Sequence, residues 1–393
     1  MVRCLAGLLL LLLSSTLVDA RTAPREADPA YLATIRDDGP PPLPRGLAPF
    51  ERVPIWQRPA IPAEAPGGHV RAEAEYEPDQ GILIRWGSYN SLQTSMVVPI
   101  TTGDPPADVW IVVSGASQEN SARSVLEGGG ADLEHVHFIS APSDSVWIRD
   151  YGPRFIEHDG TRAIVDHIYN RPRPEDDAIP IAIGADWNEP VYELPLVHGG
   201  GNFHLFRNRD AFMTRLVVNE NPGLSEDEII DDFRAWEGLD VTLFDPFPDS
   251  YDSTQHIDMW MLPLTDSKVL IGEYAASEGG GVPKTVTDGA AAELAARGYT
   301  VYRTPGWGVG MPFGTHYTYT NSVIVNRLAL ICRFDGYDSE NAEALATYQS
   351  ALPDSDVVQV DCTDIIPLAG AIHCIVMHVP DQLFRDDSDD PIL

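Results

Sequence analysis

Basic charge is scarce in this chain. Lysine and arginine total 26 against 59 acidic residues, for a formal charge of −33. A surface of that sign repels nucleic acid and anionic lipid headgroups and draws in cations, so no nucleic-acid partner is expected. Beyond the N-terminus no apolar run reaches the length that spans a bilayer, and no stable membrane association is expected of the mature chain. The glycine clusters at 128–130, 199–201 and 279–281 lack the GxGxxG and GxxxxGK(S/T) forms that cradle phosphates. They read instead as turns, or as places where backbone closely approaches a ligand. No CxxC, HExxH or EF-hand pattern is present, which leaves His256-x-Asp258 with Cys374 as an unsupported zinc set. Neither metal nor any other cofactor is expected.

Cysteine is equally sparse, at four residues. Cys4 lies inside a segment with the form of an export signal. Arg3 supplies the positive end, Leu5 to Leu13 the apolar core, and Val18-Asp19-Ala20 the small-x-small cleavage site. The mature chain is thus expected to be secreted, periplasmic or extracellular, with three cysteines. An odd number in an oxidising compartment suggests one disulfide and one working thiol. Cys332 and Cys362 flank a helix-like stretch, Ser339 to Leu352, between two strand-like runs. Parallel strands there place both at one sheet edge, either bridged or as two buried thiols.

The organisation follows from texture. Residues 1–20 form the signal, and 21–70, rich in proline and charge, read as a linker or an arm laid over the surface. From 71 to 385 strand-like runs recur. They include Gly81 to Trp86, Val109 to Val113, His135 to Ile139, Arg162 to Val165, Val323 to Ile331 and Ile372 to Val379. Helix-like segments alternate with them at Ser117 to Leu126, Ser225 to Glu237 and Asp288 to Arg297. The alternation argues for an α/β domain with a degenerate internal repeat, followed by an acidic tail at 386–393.

Four polar clusters interrupt this pattern: Asp144 to Pro153, containing Trp147 and Asp150; His198-Gly199-Gly200-Gly201-Asn202; His256-Ile257-Asp258; and Gly370-Ala371-Ile372-His373-Cys374. A thiol nucleophile, a proton-moving histidine and two carboxylates are the parts needed to attack a carbon bonded to a cationic group. In this order the clusters resemble the bacterial-type peptidylarginine deiminases and agmatine deiminases of the guanidino-group-modifying superfamily. The resemblance runs from about Glu75 to Pro380.

That resemblance implies a five-bladed, pseudo-symmetric α/β propeller (pentein) of ββαβ units around a polar channel. It implies Cys374 as nucleophile, His256 as general acid/base, and Asp150 and Asp258 as the guanidinium clamp. It also places Trp147 at the substrate site and gives Asn321 the role of orienting the catalytic cluster. The reaction would turn arginine into citrulline with loss of ammonia.

The substrate is less directly legible. Tyr169-Asn170-Arg171-Pro172-Arg173-Pro174 places two arginines between prolines. Arg171 and Arg173 could grip a carboxylate, as a similar Asn-Arg-Pro segment does for a C-terminal arginine in peptidylarginine deiminases. Agmatine has no such carboxylate. His198 and Ala371 stand where agmatine deiminases usually carry glutamate and asparagine. Peptides or proteins ending in arginine are therefore the expected substrate. Agmatine or free arginine, an amidinotransferase, and a non-enzymatic propeller that binds cationic peptides remain as alternatives.

Overall fold

The computed structural model describes residues 22–48, 50–51 and 64–381. The segment expected to be an export signal and the acidic tail lie outside the described residues.

Among the described residues the strands fall into five sheets of three or four strands. Each is built on one plan: a strand pairs antiparallel with a central strand, which then crosses over through helix to a parallel neighbour. Thus Arg154–His158 pairs antiparallel with Thr161–Tyr169, and the helix Ile179–Trp187 leads to the parallel strand Val191–His198. The same plan joins Met261–Thr265 to Lys268–Glu273 and, through Val282–Ala296, to Thr300–Val309. It recurs in Val323–Val325, Leu328–Arg333, the helix Asp338–Ala351 and Asp356–Asp361. In a fourth sheet Met377–Pro380, from the C-terminal end, pairs with Asp79–Arg85, from the start of the domain. That pairing brings Cys374 to strands laid down almost 300 residues earlier. A parallel neighbour requires a crossover, which is why helices and strands alternate in the sequence.

The central strands are the most apolar and the most buried: Ile82, Leu83, Val269, Leu270, Leu330 and Ile331 are all enclosed. One helix start is unambiguous in sequence and structure. Ser225 accepts the Glu228 N–H while the Glu228 carboxylate takes the Ser225 N–H, a capping box that opens Glu226–Glu237. Helix Asn90–Thr101 escaped the periodicity reading because it is buried almost all round, contains Pro99, and starts after Tyr89 in the left-handed region.

Several expectations need correction. Val323 to Ile331 is not one strand but a hairpin, turning at Asn326 with φ +52°. Ile372 to Val379 is not continuous strand either. His373–Ile375 forms a 3₁₀ turn before Met377–Pro380 begins, and Ile257–Met259 likewise forms a 3₁₀ turn. The described part of residues 21–70 is not simply an arm on the surface: Arg45 within it is completely enclosed, and 52–63 lie outside the described residues. The open choice at the cysteines resolves as a bridge. Cys332 and Cys362 are disulfide-bonded across adjacent parallel strands with Cα atoms 5.4 Å apart, leaving Cys374 as the free thiol among the described residues.

Candidate active site

Three short helical turns carry the site. Asp150 lies in Ile148–Tyr151, Asp258 in Ile257–Met259 with His256 at its start, and Cys374 in His373–Ile375. A single turn ends before its carbonyl and amide ladder closes, so it can aim one side chain at a point. All three turns aim at the same point, and Asp150, His256, Asp258 and Cys374 are all buried there.

That point is filled by the guanidinium of Arg45. Asp150 takes Nε at 2.9 Å and Nη2 at 2.9 Å, while Asp258 takes Nη1 at 3.0 Å and Nη2 at 2.8 Å. Two edges of the planar group are thus held by two bidentate carboxylates, the geometry that fixes a guanidinium most firmly. His256 Nδ1 stands 2.7 Å from Nη2. Burial, the largest influence, opposes the Arg45 charge, but Asp150 and Asp258 together outweigh it and hold the group well above its ordinary value. Burial likewise opposes the two carboxylates, and the Arg45 charge brings both below their ordinary range, joined by His256 at Asp150 and by His373 and His256 at Asp258.

Cys374 adjoins the clamp. Its Sγ lies 3.6 Å from Asp258 Oδ2, the oxygen that also takes Arg45 Nη2. A Cβ on Gly370 would fall 2.9 Å from Sγ and 3.1 Å from Arg45 Cδ, so the thiol and the arginine stem converge over that glycine. Asn321 donates from Nδ2 to Sγ at 3.0 Å, and its Oδ1 accepts the Ala371 N–H at 3.0 Å. One amide therefore fixes both the thiol and the loop that carries it. Burial pushes the thiol well above its usual range, the Asp258 and Asp150 charges add to this, and the Arg45 cation opposes them.

The glycines of 199–201 have a specific use here. Gly201 donates its N–H to Asp150 Oδ1 at 3.1 Å, and a Cβ there would fall 1.7 Å from Arg45 Nη2. Gly200 donates to the Asp150 carbonyl at 2.9 Å, and a Cβ there would strike the Arg149 carbonyl at 2.3 Å. Only bare backbone can pass between the clamp and its occupant.

The remaining expected residues surround the main chain of the arm. Trp147 Nε1 donates to the Leu43 carbonyl at 2.8 Å. Arg171 Nε donates to the Arg45 carbonyl at 3.1 Å. Arg173 Nη2 donates to the carbonyls of Pro44 at 2.8 Å and Gly46 at 3.1 Å, and also pairs with the Glu51 carboxylate. The Leu368 carbonyl accepts the Arg45 N–H at 3.0 Å. The two arginines expected to grip a terminal carboxylate therefore hold peptide carbonyls and a glutamate side chain.

Sequence reasoning missed Arg45 itself. Its signal was a lone arginine closing the extended run Pro40-Pro41-Pro42-Leu43-Pro44 and followed by Gly46. A supporting network behind Asp258 was missed too. His373 lies 2.9 Å from Asp258 Oδ2 through Nδ1 and 2.8 Å from Glu75 Oε2 through Nε2, and Glu75 pairs with Arg149 at 2.8 Å. Glu75, His204 and His373 form a group close enough to hold a cation, but the Glu75 oxygens are already taken by Arg149 and His373.

The family model of the Porphyromonas-type peptidyl-arginine deiminases matches residues 71–380. The chain belongs to this family. It is a family of guanidino-group deiminases, hydrolases acting on the C–N bonds of amidines. An agmatine deiminase of Pseudomonas aeruginosa (strain UCBPP-PA14) is 26% identical over 312 residues, covering 68% of this chain and 82% of that protein. Among solved structures, the agmatine deiminase of Enterococcus faecalis superposes with a TM-score of 0.68 at 18% identity, over 80% of this chain and 96% of its own. That of C. jejuni gives 0.66 at 16% identity, over 80% and 96%. At such identities the likeness establishes a mixed α/β fold shared with deiminases.

Proposed function

We propose that this chain is a secreted deiminase of arginine side chains in peptides, converting them to citrulline and ammonia through a covalent Cys374 intermediate. The observation that carries the reading is the seating of a peptide arginine, with its flanking main chain, in a clamp of two buried carboxylates beside a thiol and a histidine. The five sheets on one plan support a five-bladed arrangement around this site. The Cys332–Cys362 bridge supports an oxidising compartment.

In this reading Asp150 and Asp258 fix the guanidinium plane and offset the cost of taking the cation out of water. Nη2 is the departing nitrogen. Its two hydrogens are directed at the two carboxylates, so a third partner, His256 Nδ1, faces a nitrogen that has no lone pair to offer while the group is planar. When Cys374 Sγ bonds to Cζ, that carbon becomes tetrahedral and the Nη2 lone pair localises toward His256. The proton released by the thiol reaches Nη2 there, and ammonia leaves. His256 then activates the water that releases the ureido product and restores the thiol. The substrate cation opposes the burial that raises Cys374, so the thiol gives up its proton more readily with substrate in place than without it.

The names of the relatives favour agmatine as a second reading. The main-chain contacts favour the peptide reading. Arg171 reaches the carbonyl of the seated arginine, a group agmatine lacks, and this contact suits an internal arginine as readily as a terminal one. We therefore widen the expectation of a C-terminal arginine to arginine within a peptide. Replacing Arg171 and Arg173 with alanine should spare agmatine turnover and impair peptide turnover. Equal losses on both substrates would remove the peptide reading.

A further inference from the structure

The occupant of the site is part of the chain itself. Arg45 is enclosed, its two guanidinium edges are filled, and its main chain is held on both sides by Leu368, Arg171, Arg173 and Trp147. The arm is anchored elsewhere as well. Tyr31 donates its hydroxyl to the Val125 carbonyl, the Gly39 N–H reaches the Gly87 carbonyl at 2.8 Å, and Asp37 and Asp38 accept from Asn90. No external guanidine can enter while Arg45 is seated, because both carboxylates are spent on it.

We propose that Arg45 is a modification site: the enzyme deiminates Arg45 once, in place, and the resulting citrulline frees the segment around it and opens the site. This inference rests on the deiminase reading above. The geometry around Arg45 is that of a substrate rather than of a mere plug. Nη2 faces His256, the stem passes over Gly370 beside Sγ, and the guanidinium plane is fixed by two bidentate contacts.

The step balances. The Cys374 S–H and the Arg45 guanidinium cation give a positively charged amidino-thioether and ammonia. One S–C bond forms, the Cζ–Nη2 bond breaks, and the thiol proton ends on the ammonia. Water then adds to Cζ, the S–C bond breaks, the thiol is restored, and one proton passes to ammonia to give ammonium. Nothing is oxidised or reduced, and the only co-reactant is water.

Product and substrate differ by the charge that holds the arm in place. A neutral ureido group leaves Asp150 and Asp258 facing each other without a cation, and breaking a buried pair in this way should weaken docking by about a hundredfold or more. Conversion is therefore self-limiting: one turnover per chain exposes the clamp to external substrate.

The test is tandem mass spectrometry of the segment containing residue 45, on full chains made in a cell-free system without deiminases. Wild type and Cys374→Ala are made separately and also as a mixture, and Arg45→Gln is assayed on an arginyl peptide. We expect citrulline at 45 in wild type, arginine at 45 in Cys374→Ala whether alone or mixed, and increased protease access around residue 45 in wild type. Citrulline in Cys374→Ala, alone or in the mixture, would overturn conversion in place. Unmodified Arg45 in wild type, with active Arg45→Gln, would overturn self-deimination and leave the deiminase reading standing. Unmodified Arg45 together with an inactive Arg45→Gln would sink both.

Discussion

Arg45 Nη2 stands 2.7 Å from His256 Nδ1, closer than either carboxylate oxygen that shares the same nitrogen. A residue of the N-terminal arm thus meets the group expected to move protons, and the site of this chain is closed by its own sequence.

Removing that occupant should change how external substrate binds rather than how it reacts. In Arg45→Ala, initial-rate kinetics on an arginyl peptide should show KM lowered at least tenfold, with kcat little changed, relative to wild-type chains that still carry arginine at 45. Affinity measured against a filled site is reduced by the fraction of molecules that are open. Unchanged KM would mean that the arm leaves freely.

Asn321 touches the thiol and the Ala371 amide but no part of the guanidinium. Asn321→Ala should therefore lower kcat by roughly ten- to a hundredfold and leave KM near wild type, because it misplaces the nucleophile without weakening the clamp. Asp258→Asn should instead reduce kcat/KM by about a hundredfold or more, through the lost charge pair. Steady-state kinetics on one peptide separates the two behaviours.

The Cys374 thiol should titrate above the usual cysteine range of about 8.5 when the site is empty, since burial and two carboxylates oppose the thiolate and the Arg45 cation no longer helps. In Arg45→Ala the thiolate absorbance, taken as a difference from a Cys374→Ser control, should rise at higher pH than in a chain with Arg45 seated. A midpoint below that range would indicate an activated thiol before substrate arrives.

Stability has its own pH signature at His378. Burial, then the Arg149 charge, lowers this residue to about 3, consistent with its Nδ1 facing Arg149 Nη2 and its Nε2 facing the Ile324 carbonyl. The unfolded chain takes up a proton near 6.5 that the native chain refuses until about 3. The His378 contribution therefore falls as pH drops through that window, by about 1.4 kcal/mol per pH unit. Denaturant melts of His378→Asn and wild type should converge, or cross, as pH falls from 6.5 to 4. Parallel curves would show His378 protonated in the native state.

Loss of the Cys332–Cys362 bridge frees a loop spanning a sequence separation of 30. Loop-closure entropy sets its contribution at about 3–4 kcal/mol. The double alanine variant should unfold at correspondingly lower denaturant while retaining turnover, because neither sulfur touches the site.

Much of this was legible in the sequence, for identifiable reasons. Asp150, His256, Asp258 and Cys374 stood out because polar clusters interrupt apolar runs, and the alternation of strands and helices betrayed the parallel crossovers. Two cysteines at one edge of adjacent parallel strands left a bridge or two buried thiols open, and the structure shows the bridge. What escaped notice had a weak local signal or none. Ile257–Met259 and His373–Ile375 are single turns, too short for any periodicity, and the second reads as part of a strand. Glu75 and His373 gain their role only through pairing between ends of the chain. Arg45 sits in a proline-rich segment whose composition suggests exposure, and only the tertiary clamp explains why it is buried.

The most direct measurement is citrulline and ammonia release by the Arg45→Ala chain from a peptide carrying an internal arginine, beside agmatine, with Arg45→Ala/Cys374→Ala as control. We expect peptide turnover with kcat/KM well above that for agmatine, abolished in the double variant. Turnover of agmatine in preference to the peptide, or peptide turnover that survives loss of Cys374, would contradict the assignment.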